Sequence, residues 1–507
     1  MKETRIWIVA DRQYRGYERL RVKIMKISEL LQRIDYMVLQ GNLSDEVTGI
    51  CHDNRMIQEG DAFICISGAR FDTHTMAKEL AKKAALLVVE KPVELEDGCK
   101  TAVVQVASTR DIVAALAAAF YGYPSEKVVC IGITGSKGKT TCTHMMADIL
   151  RAAGYLTGTI GTNGAIMPAG CDHAVWGSDK YSCAPCNETP GYDCYELNNT
   201  TPDPMELQMY LAMMVKAGCT HVVLEVSSQG MKQKRVATVD FAYAVWTNIE
   251  TGDHIGPNEH KDFEEYLYCK AMLLNQSRRA YVNCDDRHLD AFMKYVTLSD
   301  GLDGRTKQVF YYGEGDRIGN LKKSQNGVLE APGIEFTMSG ALDADIKVNL
   351  PGDFNMYNAA AAVAIAHDMG ISTDIINKGL THLKIRGRFD IVFNNGHFAV
   401  CVDFAHNGYS TRNHLEALRE YHPKRIVCVF GADGNRSKYR RYEMGEASAL
   451  LADLSIVTAG HNRYETFDQI FADIKIGKKK QNLFRIWSFR TARKQFVMRL
   501  NMHRRVI

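Results

Sequence analysis

Apolar residues along most of this chain follow two alternating patterns. Short apolar runs of strand length lie at 128–133, 221–228, 400–406 and 425–431. Segments in which apolar residues recur at helical spacing lie at 140–150, 205–217 and 263–274. Strands that alternate with helices predict parallel sheets covered by helices, so we expect an α/β fold with doubly wound sheets.

The length of the chain predicts three domains, because domains commonly contain roughly 100–200 residues. We place them at 25–122, 123–384 and 385–480 in a chain of 507 residues. Residues 1–24 are basic and aromatic without clear periodicity, whereas an amphipathic helix with Ser28 as its cap is predicted from residue 25. We therefore expect residues 1–24 to be a non-native extension.

Composition narrows the class of protein. No stretch approaches the roughly 20 apolar residues of a membrane span, and the apolar run at 6–10 is too short for a signal peptide. Fourteen Cys in so long a chain fit reduced thiols better than a disulfide framework. We expect a cytoplasmic monomer that binds neither nucleic acid nor membrane; the net charge of +3 gives no evidence for either partner.

A glycine-rich turn separates the strand at 128–133 from the helix that follows. Glycine lets backbone N–H groups turn inward on an anion, the helix N-terminus adds a positive dipole end, and Lys139 supplies a point charge. The hydroxyl of Thr140 suits Mg²⁺. Ile133 stands where the common phosphate-loop pattern has its first Gly. The turn predicts a binding loop for nucleotide phosphates formed by Gly135, Ser136, Lys137, Gly138, Lys139, Thr140 and Thr141.

Glu225 lies inside an apolar strand, near its C-terminal end. Active sites of open α/β sheets gather at that edge, and a carboxylate there needs a partner, for which Mg²⁺ is suitable. The alternative is a capped or paired Glu at a strand end. The phosphate loop favours the metal.

These motifs resemble those of the Mur ligase family, and most closely its MurE branch. The shortened loop at 135–141, the segment Asn199-Thr-Thr-Pro202 and the segment Glu225-Val-Ser-Ser228 carry the resemblance, which covers about 25–475. It implies a uridine-diphosphate-binding domain, a central ATP-binding domain and a Rossmann-like C-terminal domain. It also implies an ATP-dependent amide ligase that adds the third amino acid to UDP-N-acetylmuramoyl-L-alanyl-D-glutamate through an acyl phosphate, in the synthesis of peptidoglycan precursors.

The resemblance assigns further residues to ATP and metal. Asn355, Asn358, Arg388 and Asp403 match positions that contact ATP. His254 matches a second-metal ligand, and Lys270 matches a carbamylated lysine, which holds Mg²⁺ where an ammonium would repel it. As a bare sequence feature, Lys270 would be an ordinary exposed helix residue. The implied cofactors are ATP, two Mg²⁺ ions and a lysine carbamate formed from CO₂, and the implied catalytic residues are Lys139, Glu225, His254 and Lys270.

The resemblance also implies contacts with the two substrates, the UDP-N-acetylmuramoyl dipeptide and a free amino acid. Gln229 replaces the usual His, Asn54 replaces a Ser, and the acceptor motif at 460–465 keeps only two of its residues. The retained Arg463 favours diaminopimelate over lysine, because the former has a second carboxylate. The implied substrate-binding residues are Asn54, Thr200, Thr201, Ser228, Arg235, Arg463 and Glu465.

A segment rich in Cys lies between 166 and 196. Four thiolates could bind zinc, but the outer spacings match no ligand pattern, so we favour free thiols on a hairpin near the substrate. These residues are Cys171, Cys183, Cys186 and Cys194.

The tail at 481–507 is basic and lacks acidic residues and a βα pattern. Codons can be chosen for 485–505 so that a frame shifted by two bases encodes a strand, a turn and an amphipathic helix. We therefore expect the reading frame to shift after about Lys480, which would leave the C-terminal sheet unfinished and the activity low. Sequencing the gene through this region tests the hypothesis.

Two other functions remain open at this level. A relative of folylpolyglutamate synthetase would share the phosphate loop but lack the uridine domain and Asn199-Thr-Thr-Pro202. A non-catalytic paralogue that binds nucleotides or wall precursors would fit the altered acceptor motif. Phosphate release that needs both the UDP-dipeptide and an amino acid would distinguish the three functions.

Overall fold

The computed structural model describes residues 24–68, 71–170, 183–251, 254–256, 259–297, 307–314, 318–328, 331–340, 342–479 and 486–489. The predicted extension at 1–24 lies outside these ranges apart from its last residue. In the described part of the chain, no helix is both long and apolar enough to cross a lipid bilayer.

The N-terminal domain contains a mixed sheet in the order β2-β7-β6-β5-β4, in which only β2 is antiparallel to its neighbour. The predicted helix from residue 25 is wrong at its start: Met25–Lys26 form a strand, and the short helix after it has no side-chain cap from Ser28. Four residues are too few for periodicity to locate. The elements are β1 (Met25–Lys26), α1 (Ile27–Leu30), β2 (Met37–Gln40), β3 (Glu46–Val47), β4 (Gly49–Cys51), β5 (Asp61–Ile64), α2 (Ala77–Leu80), β6 (Leu86–Val89), β7 (Ala102–Gln105) and α3 (Thr109–Phe120).

The first half of the central domain contains the predicted strand, loop and helix. The predicted strand at 221–228 ends at Glu225, because Ser227 caps a short helix by accepting a hydrogen bond from the Gly230 N–H. The elements are β8 (Val129–Thr134), α4 (Lys139–Ala152), β9 (Thr157–Gly161), β10 (Gly164–Pro168), β11 (Cys183–Pro185), β12 (Tyr192–Tyr195), α5 (Pro204–Lys216), β13 (His221–Glu225), α6 (Ser228–Lys232), β14 (Phe241–Trp246) and α7 (Phe263–Asn275).

The second half of the central domain extends the same sheet. Among the described residues, twelve strands are joined in the order β11-β12-β10-β9-β13-β8-β14-β15-β16-β17-β18-β19. Within this order, every neighbouring pair in the stretch that begins at β9 and ends at β17 is parallel. The elements are β15 (Ser277–Asn283), α8 (Leu289–Met293), β16 (Gln308–Gly313), β17 (Ile318–Val328), β18 (Ala331–Ser339), β19 (Ala344–Val348), α9 (Asp353–Asp368) and α10 (Thr373–Leu380).

Two apolar cores cover the faces of the central sheet. One contains side chains of α4, α9 and α10, and the other contains side chains of α5 and α7. Parallel strands covered on both faces bring their carboxyl ends to one edge of the sheet. The loops after β8, β13 and β14 therefore meet at that edge.

The C-terminal domain has a hairpin, β20–β21, and a parallel sheet in the order β22-β23-β24. Strand β24 lies in the tail at 481–507, so the expectation that no βα pattern continues beyond Lys480 is wrong for Ile486–Phe489. The rest of that tail lies outside the described residues, and the frame shift stays a prediction. The elements are β20 (Asp390–Asn394), β21 (Ala399–Val402), α11 (Gly408–Arg419), β22 (Val427–Phe430), α12 (Lys438–Leu451), β23 (Leu454–Thr458), α13 (Phe467–Lys479) and β24 (Ile486–Phe489).

The Cys-rich segment forms the predicted hairpin, with β11 and β12 antiparallel at the edge of the central sheet. Cys186 and Cys194 are free thiols, whereas Cys171 and the side chain of Cys183 lie outside the part of the chain that the structure describes.

Candidate functional site

The loop between β8 and α4 is held from behind by the residues that follow β14. The Ser136 N–H donates to the Asn248 carbonyl oxygen at 2.8 Å, and the Lys137 N–H donates to Asn248 Oδ1 at 2.9 Å. The Thr247 hydroxyl donates to the Lys137 carbonyl oxygen at 2.6 Å. Thr247 and Asn248 were not predicted from the sequence, although a Thr-Asn pair directly after a strand was a usable signal.

Two glycines of the loop leave no room for a side chain. Gly138 has a left-handed φ of 85°, and a Cβ built on it would lie 2.2 Å from Asn358 Oδ1. A Cβ on Gly135 would lie 1.9 Å from Thr247 Oγ1. The close approach of α9 and of the segment after β14 therefore requires glycine at both positions.

Glu225 lies at the centre of the site and is 2% exposed. The Thr140 hydroxyl donates to Glu225 Oε2 at 2.9 Å, and Thr162 donates its N–H to Oε1 at 2.8 Å and its hydroxyl to Oε2 at 3.1 Å. The same Thr140 oxygen accepts a hydrogen bond of 3.1 Å from Nη2 of Arg388. An arginine of the C-terminal domain thus reaches the phosphate loop of the central domain. Burial holds the pKa of Arg388 below its usual value, although the charge of Glu225 opposes this shift.

Lys270 is not the exposed helix residue that its sequence alone suggested, because it is 1% exposed. Its Nζ donates to the carbonyl oxygen of Gly135 at 2.7 Å and lies 4.6 Å from the centre of the Tyr266 ring. Lys139 donates to the same carbonyl oxygen at 2.8 Å. The Tyr266 hydroxyl is 2.8 Å from Ser136 Oγ, so the aromatic ring connects α7 to the phosphate loop.

His254 lies in the loop after β14 and has a positive φ of 56°. Its Nδ1 is 3.2 Å from Oε1 of Glu259, and that oxygen also accepts a hydrogen bond of 2.9 Å from Nη1 of Arg436. The hydrogen bond from His254, opposed by burial and aided by the charge of Arg436, holds the pKa of Glu259 below its usual range. Neither Glu259 nor Arg436 was predicted from the sequence as a site residue.

The predicted contacts for the UDP-dipeptide begin beside this site. The hydroxyls of Thr200 and Thr162 are 3.1 Å apart, which places Thr200 next to the Glu225 network. The Thr201 hydroxyl donates to the Glu225 carbonyl oxygen at 2.9 Å, and Arg235 donates to the Thr201 carbonyl oxygen at 2.6 Å. The Ser228 hydroxyl is hydrogen-bonded to Nε2 of the buried His260, at 2.9 Å.

The N-terminal domain contacts this region through His52. Its Nε2 is 3.1 Å from Oδ1 of Asp203, which caps α5. Burial, followed by the charge of Asp203, raises the pKa of the neighbouring Glu206 to about 7. Asn54 lies two residues from His52 and donates to the Met76 sulfur at 3.4 Å.

The predicted ATP residues of α9 and of the C-terminal domain shape the walls of the site. Asn358 donates to Asn355 Oδ1 at 3.1 Å, and Asn355 donates to the Pro351 carbonyl oxygen at 2.7 Å. Asp403 accepts hydrogen bonds from the N–H groups of Phe389 and Ala405 at 2.9 and 2.8 Å. Its carboxylate thus fixes the turn that carries Arg388.

The remnant of the acceptor motif lies farther along the C-terminal domain. Arg463 has a positive φ of 51°, and its Nη2 is 4.0 Å from Asp433 Oδ2. Glu465 accepts hydrogen bonds from the Asn435 N–H and from the buried guanidinium of Arg441. Glu465 therefore braces the loop between β22 and α12.

A cleft of about 920 Å³ joins most of these groups between the central and C-terminal domains. The predicted residues that do not line it are Asn54, Gly135, Thr201, Ser228, Arg235, Lys270, Asn355, Arg463 and Glu465. The predicted residues that line it are Ser136, Lys137, Gly138, Lys139, Thr140, Thr141, Thr200, Glu225, His254, Asn358, Arg388 and Asp403.

The donor set of the cleft fits Mg²⁺. Within the described ranges, no three His, Cys, Asp or Glu side chains form a preformed metal cage. Mg²⁺ does not need one, because it is usually bound by one or two carboxylates together with water and substrate phosphates. The adjacent oxygens of Thr140 and Glu225 at the mouth of a phosphate loop match that requirement.

Comparison with known proteins agrees with this geometry. Residues 133–366 match the family model of the Mur ligase middle domain, and residues 387–507 match that of the Mur ligase glutamate ligase domain. The UDP-N-acetylmuramoyl-L-alanyl-D-glutamate–2,6-diaminopimelate ligase 1 of Clostridium acetobutylicum is 32% identical over 463 residues, which cover 90% of this chain and 88% of that protein.

Solved structures share the fold. A UDP-N-acetylmuramoyl-L-alanyl-D-glutamate–2,6-diaminopimelate ligase superposes with a TM-score of 0.62 at 22% identity and covers 94% of this chain and 90% of its own. The folylpolyglutamate synthase of Mycobacterium tuberculosis gives a TM-score of 0.56 at 15% identity, over 78% of this chain and 88% of its own. The sequence match and the arrangement of the cleft together lead to one conclusion: the chain belongs to the Mur ligase family, and within it to the MurE branch.

Proposed function

We propose that this chain joins 2,6-diaminopimelate to UDP-N-acetylmuramoyl-L-alanyl-D-glutamate with consumption of ATP. The observation that carries the proposal is the contact of Thr140 with both Glu225 and Arg388, at 2.9 and 3.1 Å. The Thr140 hydroxyl is thereby hydrogen-bonded both to the Glu225 carboxylate of the central domain and to the Arg388 guanidinium of the C-terminal domain. Such a contact suits a ligase of this type, because the residues proposed for the UDP-dipeptide belong to the N-terminal and central domains and those proposed for the acceptor belong to the C-terminal domain.

The reaction has two chemical steps. A carboxylate oxygen of the dipeptide attacks the γ-phosphorus of ATP, the bond to the β,γ-bridging oxygen breaks, and ADP leaves. The amine of the acceptor then attacks the acyl carbon, loses a proton, and expels inorganic phosphate as the amide forms. Both steps spread negative charge over phosphate oxygens, which preorganised cations stabilise.

Three groups of the chain supply that stabilisation. Lys139 and the N–H groups at the start of α4 would face the phosphates of ATP bound in the cleft, and Arg388 would add a second cation from the opposite domain. Thr140 and Glu225 would hold Mg²⁺, which neutralises phosphate charge when it is bound. Burial of Glu225 among Thr140 and Thr162 fixes its orientation before substrates arrive.

Carbamylation of Lys270 is proposed from the resemblance to Mur ligases and from the position of the Lys270 amine. Lys139 and Lys270 both direct Nζ at the carbonyl oxygen of Gly135, and Lys270 is buried. A carbamate on Lys270 removes one positive charge, retains an N–H that can donate to Gly135, and offers oxygen donors to a second Mg²⁺ beside His254.

Diaminopimelate is proposed over lysine on two grounds. Relatives about 30% identical over most of the chain carry 2,6-diaminopimelate in their names. The C-terminal domain also presents Arg436 in the wall of the cleft and Arg463 on the adjacent loop, and guanidinium groups suit a second carboxylate. Asn54, Ser228 and Arg235 are proposed for the UDP-dipeptide. Glu465 is proposed to act through the loop that it braces.

The test is phosphate release by the full chain, with the amide product identified by mass spectrometry. We expect release only when ATP, Mg²⁺, the UDP-dipeptide and diaminopimelate are all present, with lysine a much poorer acceptor. Glu225→Gln should abolish release, whereas Glu335→Gln, which removes a carboxylate paired with Lys347 on the β18–β19 surface, should leave it unchanged. Phosphate release with lysine but not with diaminopimelate as the acceptor, or phosphate release with a folate and glutamate as the substrates, would contradict the proposal.

A further inference from the structure

The carboxylate of Glu259 lies where the central and C-terminal domains meet. Its Oε1 contacts Nδ1 of His254 at 3.2 Å and Nη1 of Arg436 at 2.9 Å. His254 and Glu259 belong to the segment between β14 and α7, whereas Arg436 belongs to the loop between β22 and α12. One oxygen atom therefore joins the two domains, and both residues that it contacts line the cleft.

This contact fixes the tautomer of His254. An ionised carboxylate only accepts hydrogen bonds, so Nδ1 of a neutral His254 must carry the proton. The lone pair then lies on Nε2, the arrangement found when a histidine that binds a metal donates its other nitrogen to a carboxylate. Glu259 therefore prepares His254 as a ligand through Nε2.

The backbone of His254 needs such support. Its φ of 56° lies in the left-handed region, which is unfavourable for a residue with a Cβ. The His260 N–H donates to the His254 carbonyl oxygen at 2.9 Å and fixes the main chain, while Glu259 fixes the ring. The orientation of the imidazole thus depends on where the Glu259 carboxylate is held.

We infer that Glu259 is a positioning residue that couples docking of the C-terminal domain to the orientation of His254. With Arg436 in place, the Glu259 oxygen is held between guanidinium and imidazole. Separation of the C-terminal domain from the central domain would remove Arg436 and leave the carboxylate able to turn toward solvent. The site is then fully assembled only in the docked arrangement. The inference rests on the proposed function only for the role of His254 as a metal ligand.

An ordinary surface ion pair is the competing explanation. The side chains of Glu259 and Arg436 are 17% and 35% exposed, and pairs of this kind commonly contribute little to stability. A purely stabilising pair would leave the imidazole unaffected when Arg436 is changed. The two explanations therefore differ in the state of His254, which can be measured without turnover.

The decisive measurement is ¹⁵N-histidine NMR of the full chain without nucleotide or metal, with His254 assigned from its absence in His254→Asn. We expect the Nδ1–H tautomer in the unmodified protein and a shift toward the Nε2–H tautomer in Glu259→Gln. Arg436→Gln should shift His254 in the same direction, but should cause no further shift when Glu259→Gln is already present. The matched control Glu335→Gln should change nothing.

Two results would overturn the inference. One is an unchanged His254 signal in Arg436→Gln, and the other is an equal effect of Arg436→Gln with and without Glu259. These readouts do not depend on catalysis, so a chain that releases no phosphate would defeat the proposed function and leave the coupling to be judged by NMR. If the chain is active, Glu259→Gln should raise the Mg²⁺ concentration for half-maximal rate about 10–100-fold, with the KM for the UDP-dipeptide unchanged.

Discussion

Lys139 and Lys270 donate hydrogen bonds to the same oxygen atom, the carbonyl of Gly135, at 2.8 and 2.7 Å. One lysine belongs to the first turn of α4 and the other to the buried face of α7. Their shared acceptor brings two cations together at one carbonyl group of the loop, although Lys139 lines the cleft and Lys270 does not. Lys270, which the helical pattern alone predicted to be an ordinary exposed residue, is therefore a buried cation at the phosphate loop.

The first prediction concerns the chemical state of Lys270. Protein equilibrated with ¹³C-bicarbonate should show a carbamate ¹³C resonance that is absent from Lys270→Arg. Lys270→Ala should lower the rate of phosphate release by more than the roughly 10–100-fold that is typical when a residue holding a metal ligand in place is changed. Addition of a short carboxylic acid should restore part of the rate. Lys261→Arg, at an exposed lysine just before α7, is the control and should keep both resonance and rate. A resonance that persists in Lys270→Arg would contradict the assignment.

The second prediction concerns Gly138. Alanine there meets Asn358 Oδ1 at 2.2 Å and must adopt a φ of 85°, so the phosphate loop has to move. We expect Gly138→Ala to weaken ATP binding, measured by calorimetry, at least about tenfold. Gly154→Ala is the matched control, because its φ is 90° but nothing lies within 4 Å of the added Cβ. Equal ATP affinities of the two variants would refute the steric argument.

The third prediction follows from Glu206 at the junction with the N-terminal domain. Burial, followed by the charge of Asp203, raises the pKa of Glu206 to about 7. The folded state therefore binds this proton more tightly than the unfolded chain, so the free energy of unfolding should fall as pH rises from about 5 to about 7. Denaturant titrations at several pH values should reveal this fall. Glu206→Gln should flatten it and Glu335→Gln should not; an equally steep fall in Glu206→Gln would exclude this residue as the source.

The fourth prediction concerns the buried guanidinium of Arg441. It donates to Asp473 Oδ2 at 2.8 Å and also contacts Glu465, with a side chain that is 1% exposed. Arg441→Met leaves two carboxylates without their cation and should destabilise the C-terminal domain by about 3–5 kcal/mol. Arg419→Met breaks a more exposed pair with Asp453 in the same domain and should cost about 0–1 kcal/mol. Similar losses in urea unfolding followed by circular dichroism would contradict this ranking.

Local patterns predicted the elements whose information lies in consecutive residues. The strand, glycine turn and helix around 135–141 were predicted almost to the residue, and so was α7, because an apolar run and a long helical period are visible in any one stretch. The prediction was wrong at the start of α1 and too long at β13, where a four-residue helix and a Ser cap give little periodic signal.

The sequence by itself determined the α/β class and the strand, glycine turn and helix around 135–141, and it predicted a site residue in Glu225 from its place near the end of a strand. His254 and Arg388 became candidates only through the resemblance to Mur ligases. Only the tertiary structure decided that Lys270 is buried, that Thr140 meets Arg388 across the domain boundary, and that Glu259 joins His254 to Arg436. The physical reason is that sheet order and domain docking set such contacts, and neither is written in the spacing of neighbouring residues.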